Sequence, residues 1–195
     1  MTMHSDYFKS LCEGGFRECE QRKAVLHGDS LAAVRAMIYF MYCFEYAEPR
    51  LSGTKEARKT DEEPEPRCTP EFHSHVYALG NKYNMPDLKT LALKKLHDHV
   101  GHEQFALLNV DENRLFYSKI ADEFMPATYH IYRSTPSEDR ALRDAVCTYW
   151  SYEGCIRDCV DKEAFEAMIV EMPEFAMDLI DSISGGKVGS LRRSE

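Results

Sequence analysis

The chain has 195 residues, 44% of them hydrophobic, and a formal net charge of -9. That length suits one domain, or one domain with an extension, and the apolar fraction is enough to build a core. The acidic balance excludes broad phosphate-backbone binding, which needs Lys and Arg gathered on one face. No stretch approaches the roughly 18 apolar residues of a membrane-spanning helix, so neither direct nucleic-acid binding nor membrane insertion is expected.

Residues His4 to Leu11 read as a helix, stopped by Gly14-Gly15. Ala24 to His27 is a short strand candidate closed by Gly28, after which Asp29 or Ser30 is placed to cap a helix. In that helix Leu31, Val34, Met37, Ile38 and Met41 recur at spacings of three and four and are expected inward. It runs into the aromatic cluster Tyr39, Phe40, Tyr42, Phe44 and Tyr46. Any one of these rings suits a core, but one helix face cannot bury all five, so some are expected to surface as protein-binding anchors.

Residues 47–68 hold prolines, many charges of both signs and a single leucine. They cannot bury enough apolar surface to offset the entropy of ordering, and are expected to form a disordered insert. Thr69-Pro70 then reads as an N-cap followed by proline at the first helical position. Phe72, Val76, Leu79 and Tyr83 form an apolar stripe; Asn84-Met85-Pro86 breaks it, and Leu88, Leu91, Ala92 and Leu96 form a second one. Proline disfavours helical conformation at Met85, so two short helices are expected to meet at a corner there.

The remainder also reads as helical. Residues 113–132 are densely apolar, with Pro126 a kink or a helix boundary. Thr135-Pro136-Ser137-Glu138 has the form of a capping box before a helix with Leu142, Ala145, Val146, Tyr149 and Trp150 inward. Asp161 is placed to cap a helix carrying Phe165, Met168 and Ile169, and Pro173 to start a last one carrying Phe175, Ala176, Leu179, Ile180 and Ile183. Gly185-Gly186 ends it, leaving a basic frayed tail over 185–195.

The motifs of the common catalytic and nucleotide-binding sites are missing: no nucleophile elbow, phosphate loop, dinucleotide fingerprint or His-Glu-x-x-His. No catalytic, cofactor-binding or metal residue is expected. The best metal candidates are weak. His97, His99 and His102 lie together, as do Cys68, His73 and His75, and Cys155 with Cys159, but none has the tight ligand spacing of a structural zinc site. The seven cysteines are odd in number and irregularly spaced, which reads as reduced thiols in cytoplasm or nucleus.

The order of these pieces resembles the BTB/POZ domain in its fungal form. The matching text runs through His4-Ser5-Asp6-Tyr7-Phe8, Gly14-Gly15-Phe16-Arg17-Glu18, Val25-Leu26 with Asp29, and Ala33-Val34, Met37 and Tyr39-Phe40-Met41-Tyr42 with Glu45-Tyr46. It continues in Val76-Tyr77-Ala78-Leu79-Gly80-Asn81-Lys82-Tyr83, Met85, Leu88 and Ala92, then in Ile131 to Pro136 and Asp139 to Arg143. The implied class is α+β and mainly helical: a partial BTB/POZ core over 1–101 and a helical extension over 102–184. The likeness begins at the helix that follows the family's N-terminal β-hairpin, so the core is expected to be incomplete. Family-style homodimerisation, which uses the earlier elements, is not expected.

The resemblance implies a protein–protein interaction module that is not an enzyme. Its adaptor members present substrates to cullin-type ubiquitin ligases; the alternatives are a BTB-containing transcriptional regulator or a nonfunctional truncated fragment. By analogy the partner-binding residues are Tyr39, Tyr42, Phe44, Glu71, Lys82 and Tyr83. Family adaptors often carry a hydrophobic-x-Glu element before the helix at Phe72, and here Thr69-Pro70-Glu71 occupies that place.

Overall fold

In a computed structural model, residues 5–13, 26, 28–46, 69–108, 114–151 and 162–185 are described. Eight helices account for most of them: α1 (Asp6–Glu13), α2 (Leu31–Cys43), α3 (Pro70–Lys82), α4 (Pro86–Leu108), α5 (Arg114–Ser134), α6 (Arg140–Trp150), α7 (Lys162–Glu171) and α8 (Pro173–Ile183). No strand occurs among the described residues. The expected strand at Ala24 to His27 lies outside them, apart from Leu26, which is not in a strand. The expected insert over 47–68 also lies outside, as do Gly14-Gly15, Asp161 and all of the tail after Gly185. The chain divides into two compact units, Met1–Ala92 and Leu93–Glu195. The division falls inside α4, the helix that also contains residue 101.

In the first unit α2 packs against α3. The sequence supports α3 at both ends. Thr69 is the N-cap, its Oγ1 accepting the Phe72 N–H at 3.2 Å, and Pro70 stands in the first turn where its missing N–H leaves nothing unpaired. Phe72, Val76, Leu79 and Tyr83 are buried as the spacing predicts. At the far end the chain turns through a Schellman motif. Asn84 adopts φ +50°, the Met85 N–H donates to the Gly80 carbonyl at 2.7 Å and the Asn84 N–H to Asn81 at 3.3 Å. Met85 is buried behind the turn and Pro86 starts α4.

The corner explains a glycine inside a helix, which ordinarily costs about 1 kcal/mol relative to Ala. A Cβ at Gly80 would stand 2.9 Å from the Lys89 backbone N and 3.1 Å from its Cα. The two helix backbones therefore touch where a side chain would separate them. The Lys89 ammonium reaches back over the Tyr77 ring, 4.8 Å from its centre, covering the same contact from outside.

Burial along α2 departs from the expected stripe. Ala33, Ala36, Met37, Phe40 and Met41 face inward, whereas Leu31 and Ile38 are exposed and Val34 is half-buried. The helix is apolar on nearly every face, so periodicity alone does not choose which side turns in. The small Ala33 and Ala36 belong to the buried side.

In the second unit α6 packs on α5 and on α8, and α8 packs on α7. Leu142, Ala145, Val146, Tyr149 and Trp150 are buried as expected, with Phe124, Ala127 and Ile131 from α5, Met168 from α7, and Phe175 and Leu179 from α8. Each such large apolar side chain contributes roughly 1.5–3 kcal/mol on burial. Phe124 stacks on Tyr149 with ring centres 3.6 Å apart. Trp150 Nε1 donates to Thr128 Oγ1 at 2.9 Å, which donates to the Phe124 carbonyl at 2.8 Å, so the buried indole is satisfied. Ile180 and Ile183, expected inward, are exposed.

Two local expectations are corrected here. Of the two readings of Pro126, a kink or a boundary, the boundary is excluded: α5 runs through it, at the cost of the hydrogen bond that residue 126 would give to the carbonyl of residue 122. Nor is Thr135-Pro136-Ser137-Glu138 a capping box. The helix starts only at Arg140, and the Thr135 hydroxyl is already engaged, donating to the Ile131 carbonyl at 2.6 Å and accepting from Arg143 Nε at 3.3 Å. Glu138 accepts from Ser137 Oγ instead, at 3.0 Å.

Replacing Gly80 by Ala tests the corner. Helix propensity favours the change by about 1 kcal/mol, but the methyl meets backbone that cannot move without opening the turn. We expect a net loss of roughly 1–3 kcal/mol, measured as a lower urea midpoint with unchanged helical circular dichroism. A variant as stable as wild type would show that the contact opens freely.

Candidate functional site

The partner-binding residues expected from sequence fall into two groups. Tyr39, Tyr42 and Phe44 are exposed at the end of α2. With Leu31 and Ile38 they make the largest set of exposed hydrophobic side chains on any one described helix and its cap. Leu31, Arg35, Ile38 and Tyr42 follow one another at helical spacings of four, three and four, so they share a face, with Tyr39 beside it. Tyr42 is 66% exposed and Phe44 59%.

Phe44 has an unusual backbone. It is the C-cap of α2 with φ +55°, and its N–H donates to the Phe40 carbonyl at 2.9 Å. A left-handed conformation costs an L-residue with a side chain roughly 1–2 kcal/mol, which is why glycine usually stands at helix ends of this shape. The ring recovers little by burial; it makes an edge contact with Phe40 at 6.1 Å. A bulky, exposed aromatic residue in a strained cap is unfavourable for folding. Beside it, the Tyr39 hydroxyl is pushed above its ordinary value, first by its hydrogen bond with Cys43, then by the Cys43 charge, burial and Glu45.

Lys82, Tyr83 and Glu71 stand differently. Tyr83 is 2% exposed and presents no surface to a partner. Its ring lies against Tyr7 and Phe8, with centres at 5.0 and 5.4 Å, and its hydroxyl donates to Asp29 Oδ2 at 2.6 Å. Lys82 Nζ donates to both Asp29 oxygens, at 2.8 and 2.9 Å, and that hydrogen bond raises the lysine pKa. Asp29 therefore does not cap α2. Ser30 is the N-cap and neither side chain supplies a capping bond. Instead Asp29 ties the start of α2 to the end of α3, so Tyr83 drops out of the candidate surface, and Lys82, engaged by Asp29, stands at the opposite end of α2 from Tyr42 and Phe44.

Glu71 is in the first turn of α3, where negative charge suits the helix N-terminus, and its Oε1 lies 3.8 Å from His75 Nε2. Burial lowers the His75 pKa, and Glu71 opposes the shift. His73, one residue from the α2–α3 core, is buried with its Nδ1 2.8 Å from the hydroxyl of buried Tyr46.

A third polar cluster occupies the second unit. The buried Arg143 guanidinium donates to the Thr135 carbonyl at 2.7 Å and to Glu174 Oε2 at 2.7 Å, and lies 4.5 Å above the Tyr132 ring. Tyr132 donates to Asp178 Oδ2 at 2.8 Å, and Arg140 Nη1 reaches the same oxygen at 2.8 Å. Tyr132 also lies 3.4 Å from Cys147 Sγ. Burial pushes the Cys147 thiol up to about 11, so it stays protonated near neutrality and is a poor nucleophile. Every polar group in this cluster has a structural partner, and the cluster fastens α8 to α5 and α6.

Cys43 and Cys147 are free thiols. Among the described residues no group of three His, Cys, Asp or Glu is placed to hold a metal ion, and no helix is long and apolar enough to cross a membrane. Of the metal candidates read from the sequence, Cys68, Cys155 and Cys159 lie outside the described residues. Sequence reasoning missed Leu31 and Ile38 as surface residues; the signal was a helix with more apolar positions than one face can bury. No protein-family model, curated protein or solved structure matches the chain.

Two measurements follow. Phe44→Gly and Phe44→Ala both remove the ring, but only glycine relieves the left-handed cap. We expect the Gly variant to be more stable than the Ala variant by about 1 kcal/mol, read from denaturant midpoints; the reverse order would mean the cap is unstrained. The lowered His75 pKa lies below its unfolded value of about 6.5. The unfolded chain therefore binds the proton more readily, and the His75 contribution is intact above 6.5 and lost as pH falls below it. His75→Gln is expected to flatten the fall in melting temperature below pH 6.5 relative to wild type, and an unchanged slope would refute the assignment.

Proposed function

We propose that this chain is a protein–protein interaction module of BTB/POZ type, working as a substrate adaptor for a cullin-type ubiquitin ligase. The observation that carries the reading is the exposed face of α2, Leu31, Ile38, Tyr39 and Tyr42, continued by Phe44 at its cap. Aromatic side chains dominate interface energies because they remove large areas from water at small conformational cost. Strain at Phe44 supports the same reading, since folding alone would favour another residue there.

The adaptor role comes from the resemblance. In family adaptors the cullin is met by the end of the helix corresponding to Tyr39–Tyr42 and by the helix corresponding to Phe72–Tyr83. Here α2 packs directly on α3, so the exposed end of one and the Glu71–His75 turn of the other belong to one compact unit. Phe72, Val76 and Leu79 are buried and hold that unit together. Contact with a partner falls to Tyr39, Tyr42 and Phe44, with Glu71 a charged residue of the same unit and Lys82 held by Asp29 at the other end of α2. Pockets for the aromatic rings on the partner would supply most of the affinity, and charges at the rim would steer the encounter.

The test is a pull-down of purified chain with the N-terminal region of a cullin. Capture at micromolar concentration is expected, with Tyr42→Ala and Phe44→Ala each weakening it by at least about tenfold, the loss of 1.4 kcal/mol or more that marks an anchor residue. No capture at that concentration removes the adaptor role. Capture that both variants leave unchanged removes the α2 face from it.

A further inference from the structure

We infer that the first turn of α2 opens and closes as a unit of its own, hinged at Gly28 and latched by Asp29 to Lys82 and Tyr83 at the end of α3, while the rest of the helix stays packed. This goes beyond the adaptor reading and does not depend on it.

Packing holds this turn only lightly. Of Leu31 to Val34 only Ala33 is buried, and its side chain is a single methyl; Leu31 is 58% exposed, and the large buried side chains begin at Met37. Ser30 supplies no side-chain cap and no acid stands in the first turn, so two ordinary supports of a helix start are missing. The turn is closed by the Val34 N–H, which donates to the Ser30 carbonyl at 2.9 Å. Segments with few buried apolar contacts open at a fraction of the free energy of global unfolding.

The contacts that close the turn onto α3 are polar. The Asp29 side chain, 9% exposed, accepts from Lys82 Nζ at 2.8 and 2.9 Å and from the Tyr83 hydroxyl at 2.6 Å. A carboxylate so nearly buried is stable only while its cation is in place, so the latch is either shut on its partners or open with Asp29 in water. Lys82 has a half-exposed side chain and moves into solvent at small cost. The hinge is the residue before Asp29. Gly28 has φ +77°, and a Cβ there would meet nothing within 4 Å, so the chain swings at that point without collision. The motion stops at Met37, because Met37, Phe40 and Met41 are buried and Tyr46 is buried past the helix end.

The experiment is hydrogen exchange of single amides, followed by nuclear magnetic resonance on the full chain. In wild type the Val34 amide is expected to exchange faster than those of Phe40 and Val76. Raising salt from about 0.05 to about 0.5 M is expected to speed Val34 by about twofold and leave the other two unchanged, because screening weakens the half-exposed pair. Asp29→Asn and Lys82→Met are each expected to speed Val34 by about tenfold relative to Phe40 and to remove its salt response. Gly28→Ala places a side chain in a left-handed backbone without touching the latch; it is expected to speed Val34 several-fold with the salt response kept. Val34, Phe40 and Val76 exchanging together in wild type would show that α2 opens only with the whole unit, and that overturns the inference even if the variants fail to fold. So does a Val34 rate indifferent to salt, or to Asp29→Asn in a folded variant.

Discussion

The last turn of α3 is the point on which the first unit depends. Its Tyr83 carbonyl accepts the hydroxyl of buried Ser5, and the same Ser5 oxygen accepts the Phe8 N–H to cap α1. Its Lys82 and Tyr83 side chains hold Asp29 at the start of α2. Its Gly80 backbone lies against Lys89 of α4. Three segments far apart in sequence thus converge on Gly80, Lys82 and Tyr83. Each attachment is polar or steric and demands a particular geometry, whereas the apolar packing of Met37, Phe40, Val76 and Leu79 supplies the larger share of the stability without fixing direction.

That division of labour bears on α2. The helix is held at its start by Asp29 and along its buried side by Ala33, Ala36, Met37, Phe40 and Met41. After its end, Tyr46 is buried against Phe72 and His73, with ring centres at 5.9 and 5.8 Å. Anchored on both sides, Phe44 has little freedom to leave its left-handed conformation. The backbone that carries Tyr39, Tyr42 and Phe44 is therefore held in one arrangement, although the rings themselves are exposed. The backbone strain at Phe44 is a consequence of that fixed cap.

How much of this was legible in the sequence depends on whether the signal was local. Thr69-Pro70 names its own cap, and the stripes Phe72 to Tyr83 and Leu142 to Trp150 declare their buried sides because polar residues interrupt them. Pro86 announced the corner. What Gly80 is for did not show, because the Lys89 backbone that excludes a side chain is a tertiary neighbour. The same holds for Asp29, which reads as a cap but binds residues more than fifty positions away, and for Thr135, whose hydroxyl is claimed by Arg143 before it can cap. In α2 the local signal was present but ambiguous, since a helix apolar on every side fits either orientation. The surface residues Leu31 and Ile38 were hidden by that ambiguity and not by any lack of pattern.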